Sequence, residues 1–373
     1  MSKKRKLRAG EWVEVLTKNE ILATLDKKGQ LDGLPFMPEM FVYCGKRLRV
    51  SKRAHKTCDP PNGLDGRRMP NAVHLEDVRC DGVAHGGCQA SCLIFWKEAW
   101  LRRVDSGLPA VEVEHGSFRN IAEAMTESGC TEQNVLAGTL VSALTSEEPS
   151  YVCQSTHLSL ATQPLRWWDL RQYVEDVTSG NVRVSQLLAA LLFFVYHHIA
   201  SAGFGIGSGM RWCYDVFQGL RSSAPYPWRV GRIPKGERTP TAQLALQPGE
   251  VVRVKSYREI LETLDENSRN RGMYFDGEAV PFCNHSYPVL KRVERIIDEK
   301  TGKMLRLKSD AIILKGVACQ ARYAKCRRFC PRSIYPYWRE IWLERVSNDA
   351  QPPQRARADK PPDQIETLSE TPR

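Results

Sequence analysis

The sequence predicts a mainly β fold with some α-helix: two copies of a small barrel-like module, each with four cysteines, flanking a partly helical middle region. Three observations predict it. The stretch Gly10 to Cys80 recurs as Gly249 to Cys319 at one constant offset of 239 positions. Both copies consist of short apolar runs with strand-like alternation around one short helical stretch, punctuated by Gly, Pro and Asp. Between the copies lies a long apolar run, Val182 to Ala202.

The elements follow in order. Trp12-Val13-Glu14-Val15 reads as a strand after Gly10, and Glu20 to Leu25 places Ile21, Leu22 and Leu25 at helical spacing. Arg47 to Val50 alternates as a strand, and Ala72 to Leu75 is a strand leading towards Cys80. The closing Trp96-Lys97-Glu98-Ala99-Trp100-Leu101 matches Trp338-Arg339-Glu340-Ile341-Trp342-Leu343, and the four tryptophans are expected to pack the modules. Several short strands around one short helix suggest a small barrel. The expected layout is a disordered basic tail over residues 1–9, module one over 10–104 and a middle region over 105–248. Module two follows over 249–346, with a disordered Pro- and Gln-rich tail over 347–373.

The opening Gly10-Glu11-Trp12-Val13-Glu14-Val15, matched by Gly249-Glu250-Val251-Val252-Arg253-Val254, resembles SH3-like barrels of the KOW type over the first half of each module. That resemblance implies an SH3-like barrel and, as one functional option, nucleic-acid binding; the cysteine-bearing half departs from it. The chain as a whole also resembles bacterial proteins with two such cysteine-bearing modules, a resemblance that implies no activity.

The chemistry rests on the cysteines. Cys44, Cys80, Cys88 and Cys92 match Cys283, Cys319, Cys326 and Cys330. Four thiolates complete a tetrahedral zinc site or hold an iron–sulfur cluster, so one centre per module is expected, with zinc first and a cluster as the alternative. Packed or disulfide-bonded thiols are the third reading. Cys153 is a possible extra ligand for module one. Cys58, His74 and His85 have no matching ligand in module two and read as loop or strand residues, while Cys130 and Cys213 read as ordinary thiols.

Composition bounds the rest. With 373 residues, 42% hydrophobic and 26% charged, the chain reads as globular. A net charge of +11 permits nucleic-acid or anionic-membrane contact without requiring it. No apolar stretch follows Met1-Ser2-Lys3-Lys4-Arg5-Lys6, so a cytoplasmic, reducing location is expected for the twelve cysteines. Leu187 to Tyr196 is short for a bilayer span; a buried or amphipathic helix is expected, with peripheral membrane contact as an alternative. Gly203 to Gly209 lacks the Gly-Lys-Ser/Thr ending of a phosphate loop, His197-His198 reads as a helix-end pair, and no paired-carboxylate mechanism is supported. The functional expectation is a metal-binding accessory or scaffold protein with an unidentified protein partner. An iron–sulfur redox protein or enzyme is the alternative, and a KOW-like nucleic-acid binder comes third.

Overall fold

The computed structural model describes residues 5–59, 65–104, 129–141, 148–202, 205–221, 223–324 and 328–346. The C-terminal tail, Cys326 and most of residues 1–9 and 203–209 that carried sequence expectations are divided by these limits: Cys326, residues 1–4, 203–204 and 347–373 lie outside them.

Module one builds a five-stranded antiparallel sheet. Its strands are β1 (Trp12–Val15), β2 (Arg47–Arg53), β5 (Ala72–Leu75), β6 (Trp96–Lys97) and β7 (Leu101–Arg103), in the order β6-β5-β2-β1-β7. A second sheet joins β3 (Lys56–Asp59), β4 (Asp65–Arg68) and β8 (Gln163–Leu165), the last contributed by the middle region. Module two has β9 (Val251–Val254), β10 (Ser286–Ile297), β11 (Met304–Leu314) and β12 (Leu343–Arg345) in the order β11-β10-β9-β12.

The two sheets share register as well as order. Trp12 pairs with Arg49 and Val13 with Leu48 in module one; Val251 pairs with Pro288 and Val252 with Tyr287, each shifted by the same 239 positions. Local chemistry repeats too. Thr17 and Glu20 form a capping box at the start of α1 (Lys18–Leu22), as Ser256 and Glu259 do before the helix Tyr257–Leu261. The Trp100 indole N–H donates to Thr24 Oγ1 at 3.0 Å, and the Trp342 indole to Thr263 Oγ1 at 2.9 Å. Phe36 meets Trp100 edge-on, and Phe275 meets Trp342 in the same way. Arg53 pairs with Glu98, and Arg292 with Glu340.

The architecture departs from expectation in three respects. Helix and strand take nearly equal shares of the described residues, 27% and 26%, so the fold is mixed α and β rather than mainly β. No sheet among the described residues closes into a barrel: β6 has only two residues, and its module-two equivalent is reduced to the isolated bridge between Ile312 and Trp338. Residues 5–9 are packed, not a loose tail. Leu7 is buried, Lys6 pairs with Glu175, and Ala9 N–H donates to the Ser179 carbonyl.

The middle region is partly helical, with α2 (Glu132–Ala137), α3 (Leu158–Ala161), α4 (Arg171–Thr178), α5 (Val184–Ser201) and α6 (Gly207–Leu220). Helix α4 docks on module one through buried charge. Lys56 Nζ lies 2.5 Å from Asp176 Oδ2, and His55 Nε2 lies 3.2 Å from Asp176 Oδ1. The Asn181 amide then brackets the Arg53 backbone, accepting from its N–H and donating to its C=O, both at 2.8 Å. Helix α5 is long and apolar enough to cross a membrane by length and composition, with mean hydropathy 1.5, and only 11% of it is buried. Of the two expected forms, buried or amphipathic, the buried one does not hold: most of the helix is exposed, with Ala190 and Ala200 buried. Leu188, Leu191 and Leu192 of α5, and Trp212, Phe217 and Leu220 of α6, stand at the surface.

One buried group gives the fold a pH dependence. His74 in β5 is inaccessible, with Nδ1 2.8 Å from the Ile94 carbonyl oxygen. Burial pushes its pKa from 6.5 down to about 3, with the Ile94 carbonyl opposing. Between those values the unfolded chain holds a proton that the folded chain refuses, so stability falls as pH drops through this window. Urea midpoints measured from pH 7 to pH 4 are expected to fall less steeply in His74→Gln than in the unmodified protein. Parallel slopes would mean that His74 is protonated in the folded state.

Candidate metal centres

The cysteine loop of module one runs from Cys80 to Cys92 and is closed by the Cys80 N–H, which donates to the Cys92 carbonyl at 2.9 Å. Its tight turn needs Gly82: φ is +77°, and a Cβ there would lie 1.9 Å from the Cys88 carbonyl oxygen. Cys80, Cys88 and Cys92 line one small cavity together with Cys153, His85 and Glu299. Ser155 Oγ donates to Cys92 Sγ at 3.6 Å, and the Ile297 N–H approaches Cys88 Sγ at 3.4 Å. Burial pushes the Cys153 thiol up to about 12 and raises Cys80 and Cys92 as well.

Beside this cavity sits a mixed donor group. Glu39, on the 3-10 turn Pro38–Tyr43, Cys80 and His85 bring their ligand atoms within 4.8 Å of one another. His85 Nε2 lies 3.3 Å from Glu39 Oε1. Both Glu39 oxygens and both His85 nitrogens are buried without a hydrogen bond. Burial raises the Glu39 pKa, but His85 and Cys80 outweigh it and hold the carboxyl below its ordinary value. The three groups face one another, and a cation placed among their donor atoms would take over those contacts.

In module two Cys330 and Cys319 pack with Cys58, which comes from β3 of module one. The hydrogen bond from Cys58 pulls the Cys330 thiol down to about 6, against burial and with help from Arg332, while Cys58 itself is pushed up. Cys326 lies outside the described residues.

Cys44 and Cys283 are placed elsewhere. Each follows its module's 3-10 turn, and each backbone N–H bonds back into that turn at 3.1 Å. The Cys44 thiol faces Lys18 and Glu132, and Cys283 is buried in the module-two core, near Tyr257 and Tyr287. These two matched cysteines pack away from the loop thiols, so the expected four-thiol sets do not assemble: Cys80, Cys88 and Cys92 share a cavity with Cys153, and Cys319 and Cys330 pack with Cys58. Among the described residues, no three thiols come within 4.8 Å of one another.

The outside contribution is reciprocal. Cys58 of module one reaches the module-two thiols, and its equivalent Ile297 of module two reaches Cys88 of module one. Lys52 lies near Cys330 and Cys319; its equivalent Lys291 lies near Cys88, Cys80 and Cys92. Where Ile297 brings no thiol, Cys153 stands in the cavity instead. Buried Arg332 joins the two places. Its guanidinium donates to the Cys58 carbonyl at 3.3 Å, to Ser155 Oγ at 2.9 Å and to Glu299 at 2.6 Å, and Ser155 in turn touches Cys92.

Sequence reasoning named Cys153 as a possible ligand but set Cys58 and His85 aside and passed over Glu39. The available signal for Cys58 was its mismatch with Ile297, which reads as dispensability until the crossing is known. Compared with protein-family models, curated proteins and solved structures, the chain matches none.

Proposed function

We propose that this is a redox protein carrying two iron–sulfur clusters that face each other where the modules meet. The observation that carries this reading is the reciprocal placement of thiols: Cys80, Cys88, Cys92 and Cys153 around one cavity, and Cys319, Cys330 and Cys58 at the other; Cys326, which matches Cys88 in the sequence, is the proposed fourth ligand of the second centre. Ring width favours a cluster over zinc. Four thiolates on one zinc at ~2.3 Å stand about 3.8 Å apart, closer than any three thiols among the described residues. A cluster puts its own irons and sulfides between the cysteines and takes a wider ring. The shared strand order and registers, with a 3-10 turn before the last strand of each sheet, support a duplicated SH3-like module as the scaffold.

The Glu39, Cys80 and His85 group favours a second reading: one zinc ion held by three protein ligands with an open position, in a metal-binding accessory protein. Anaerobic purification separates the two. The cluster reading expects brown protein with broad visible absorption, iron and acid-labile sulfide, and loss of about half the iron in Cys153→Ser. Colourless protein with one zinc, kept in Cys153→Ser and lost in His85→Ala, would establish the second reading instead. Protein free of both metals would refute both.

A further inference from the structure

A cavity of about 950 Å³ lies between the hairpin of α5 and α6 and the cysteine loop of module two. Its roof comes from Phe193 and Tyr196 of α5 with Tyr214 and Phe217 of α6, and its floor includes Tyr323 and Phe329. Phe193 stands 5.0 Å from Tyr323 and 5.8 Å from Tyr214, both edge-on, so the aromatic lining is a connected surface. Rings that pack edge-on around a space leave room for another flat apolar body between them.

Charge in this cavity has one sign. Lys52 and Arg322 line it, and no aspartate or glutamate does among the described residues. Neither cation has a hydrogen bond or ion pair from its side chain among the described residues. The nearby acid, Asp176, is already held by Lys56 and His55. The Gln320 side-chain oxygen, also in the lining, is buried without a hydrogen-bond donor. A half-buried ammonium with no counter-ion calls for an anion, and the orphaned amide oxygen calls for a donor.

We propose that this cavity binds an aromatic organic anion, with its ring system against the connected aromatic surface of Phe193, Tyr214 and Tyr323 and its carboxylate or similar group at Lys52 and Arg322. The volume accommodates a drug-sized molecule. Because Cys319 lines the same cavity, the ligand would lie against the second thiol group. The proposal does not depend on what the thiols hold, so its failure and that of the redox reading are distinguishable.

The test is calorimetric titration of the full-length protein, as purified, with 2-naphthoate and with neutral 2-naphthalenemethanol. One naphthoate per chain is expected, bound at least ~10-fold more tightly than the alcohol, a difference of about 1.4 kcal/mol. Lys52→Gln is expected to weaken naphthoate by ~10-fold or more and leave the alcohol unchanged. Arg322→Gln, at an exposed loop residue, is expected to act in the same direction and serves if the Lys52 variant does not fold. Equal binding of the two compounds would overturn the proposal. So would unchanged naphthoate affinity in both variants, or several weak sites that vanish in Leu188→Gln, which would place binding on the exposed outer face of the hairpin.

Discussion

Cys58→Ser is expected to empty the module-two centre, although Cys58 belongs to module one. The thiol packs with Cys319 and Cys330, and its hydrogen bond is the leading influence on Cys330. On the two-cluster reading, the variant loses about half the iron and sulfide and keeps the centre of Cys80, Cys88, Cys92 and Cys153. Because metal binding contributes directly to folding free energy, limited proteolysis should cut near residues 319–334 first. Metal analysis and mass mapping of the early fragments check both parts. Full metal content in Cys58→Ser would reduce the crossing to simple packing. Loss of both centres together would mean that the two sets assemble only as a unit.

Removing the Asp176 carboxylate is expected to give the largest loss of stability of any single side-chain change in the middle region. Asp176 is inaccessible and holds two buried partners, Lys56 and His55. Burial lowers the Lys56 pKa and the Asp176 charge works against that, so the ammonium depends on its partner to remain charged. Deleting one member of a buried pair leaves an uncompensated charge and costs about 3–5 kcal/mol. Asp176→Ala should therefore lower the urea midpoint sharply. It should also raise the reactivity of Cys58 towards a thiol reagent under native conditions, because Lys56 and Cys58 share β3. A loss below ~1 kcal/mol would show that Lys56 is already neutral in the fold, since exposed pairs alone are worth so little.

These two expectations rest on contacts of very different legibility. The sheets were readable because every β-ladder neighbour is set by local alternation and each copy encodes it separately: Val13 opposite Leu48 reappears as Val252 opposite Tyr287. The short helix was readable from Ile21, Leu22 and Leu25, while the capping boxes at Thr17 and Ser256, each confined to four residues, went unread. The centres were only half legible. The loop thiols Cys80, Cys88 and Cys92 stood out by spacing, but Cys58 meets Cys330 across 272 positions, and no local pattern encodes such a contact. Repetition was also misleading at Cys44 and Cys283. A buried position kept in both copies for packing carries the same signature as one kept for ligation. The sheets stay open at the edge where pairing is shortest, a two-residue strand at Trp96–Lys97 in module one and a lone bridge at Trp338 in module two. Helix α5 was read as buried or amphipathic from its apolar composition; how much of it is exposed is set by tertiary placement, which composition does not determine.

The crossing of positions 58 and 297 has a consequence in terms of symmetry. Position 58 of the first module touches the loop of the second, and position 297 of the second touches the loop of the first. On the duplicated-module reading, this crossing corresponds to the isologous contact that two identical subunits make about a two-fold axis. Here both subunits lie on one chain, so the encounter is intramolecular and does not weaken on dilution. Being covalently joined also frees the halves from having to remain identical. One side of the pseudo-dyad presents a thiol and the other an isoleucine, with Cys153 from the intervening segment in the remaining place. A true homodimer has no such freedom, because any change at one position appears at both. On the two-cluster reading, the two centres have different surroundings and would differ in affinity and potential.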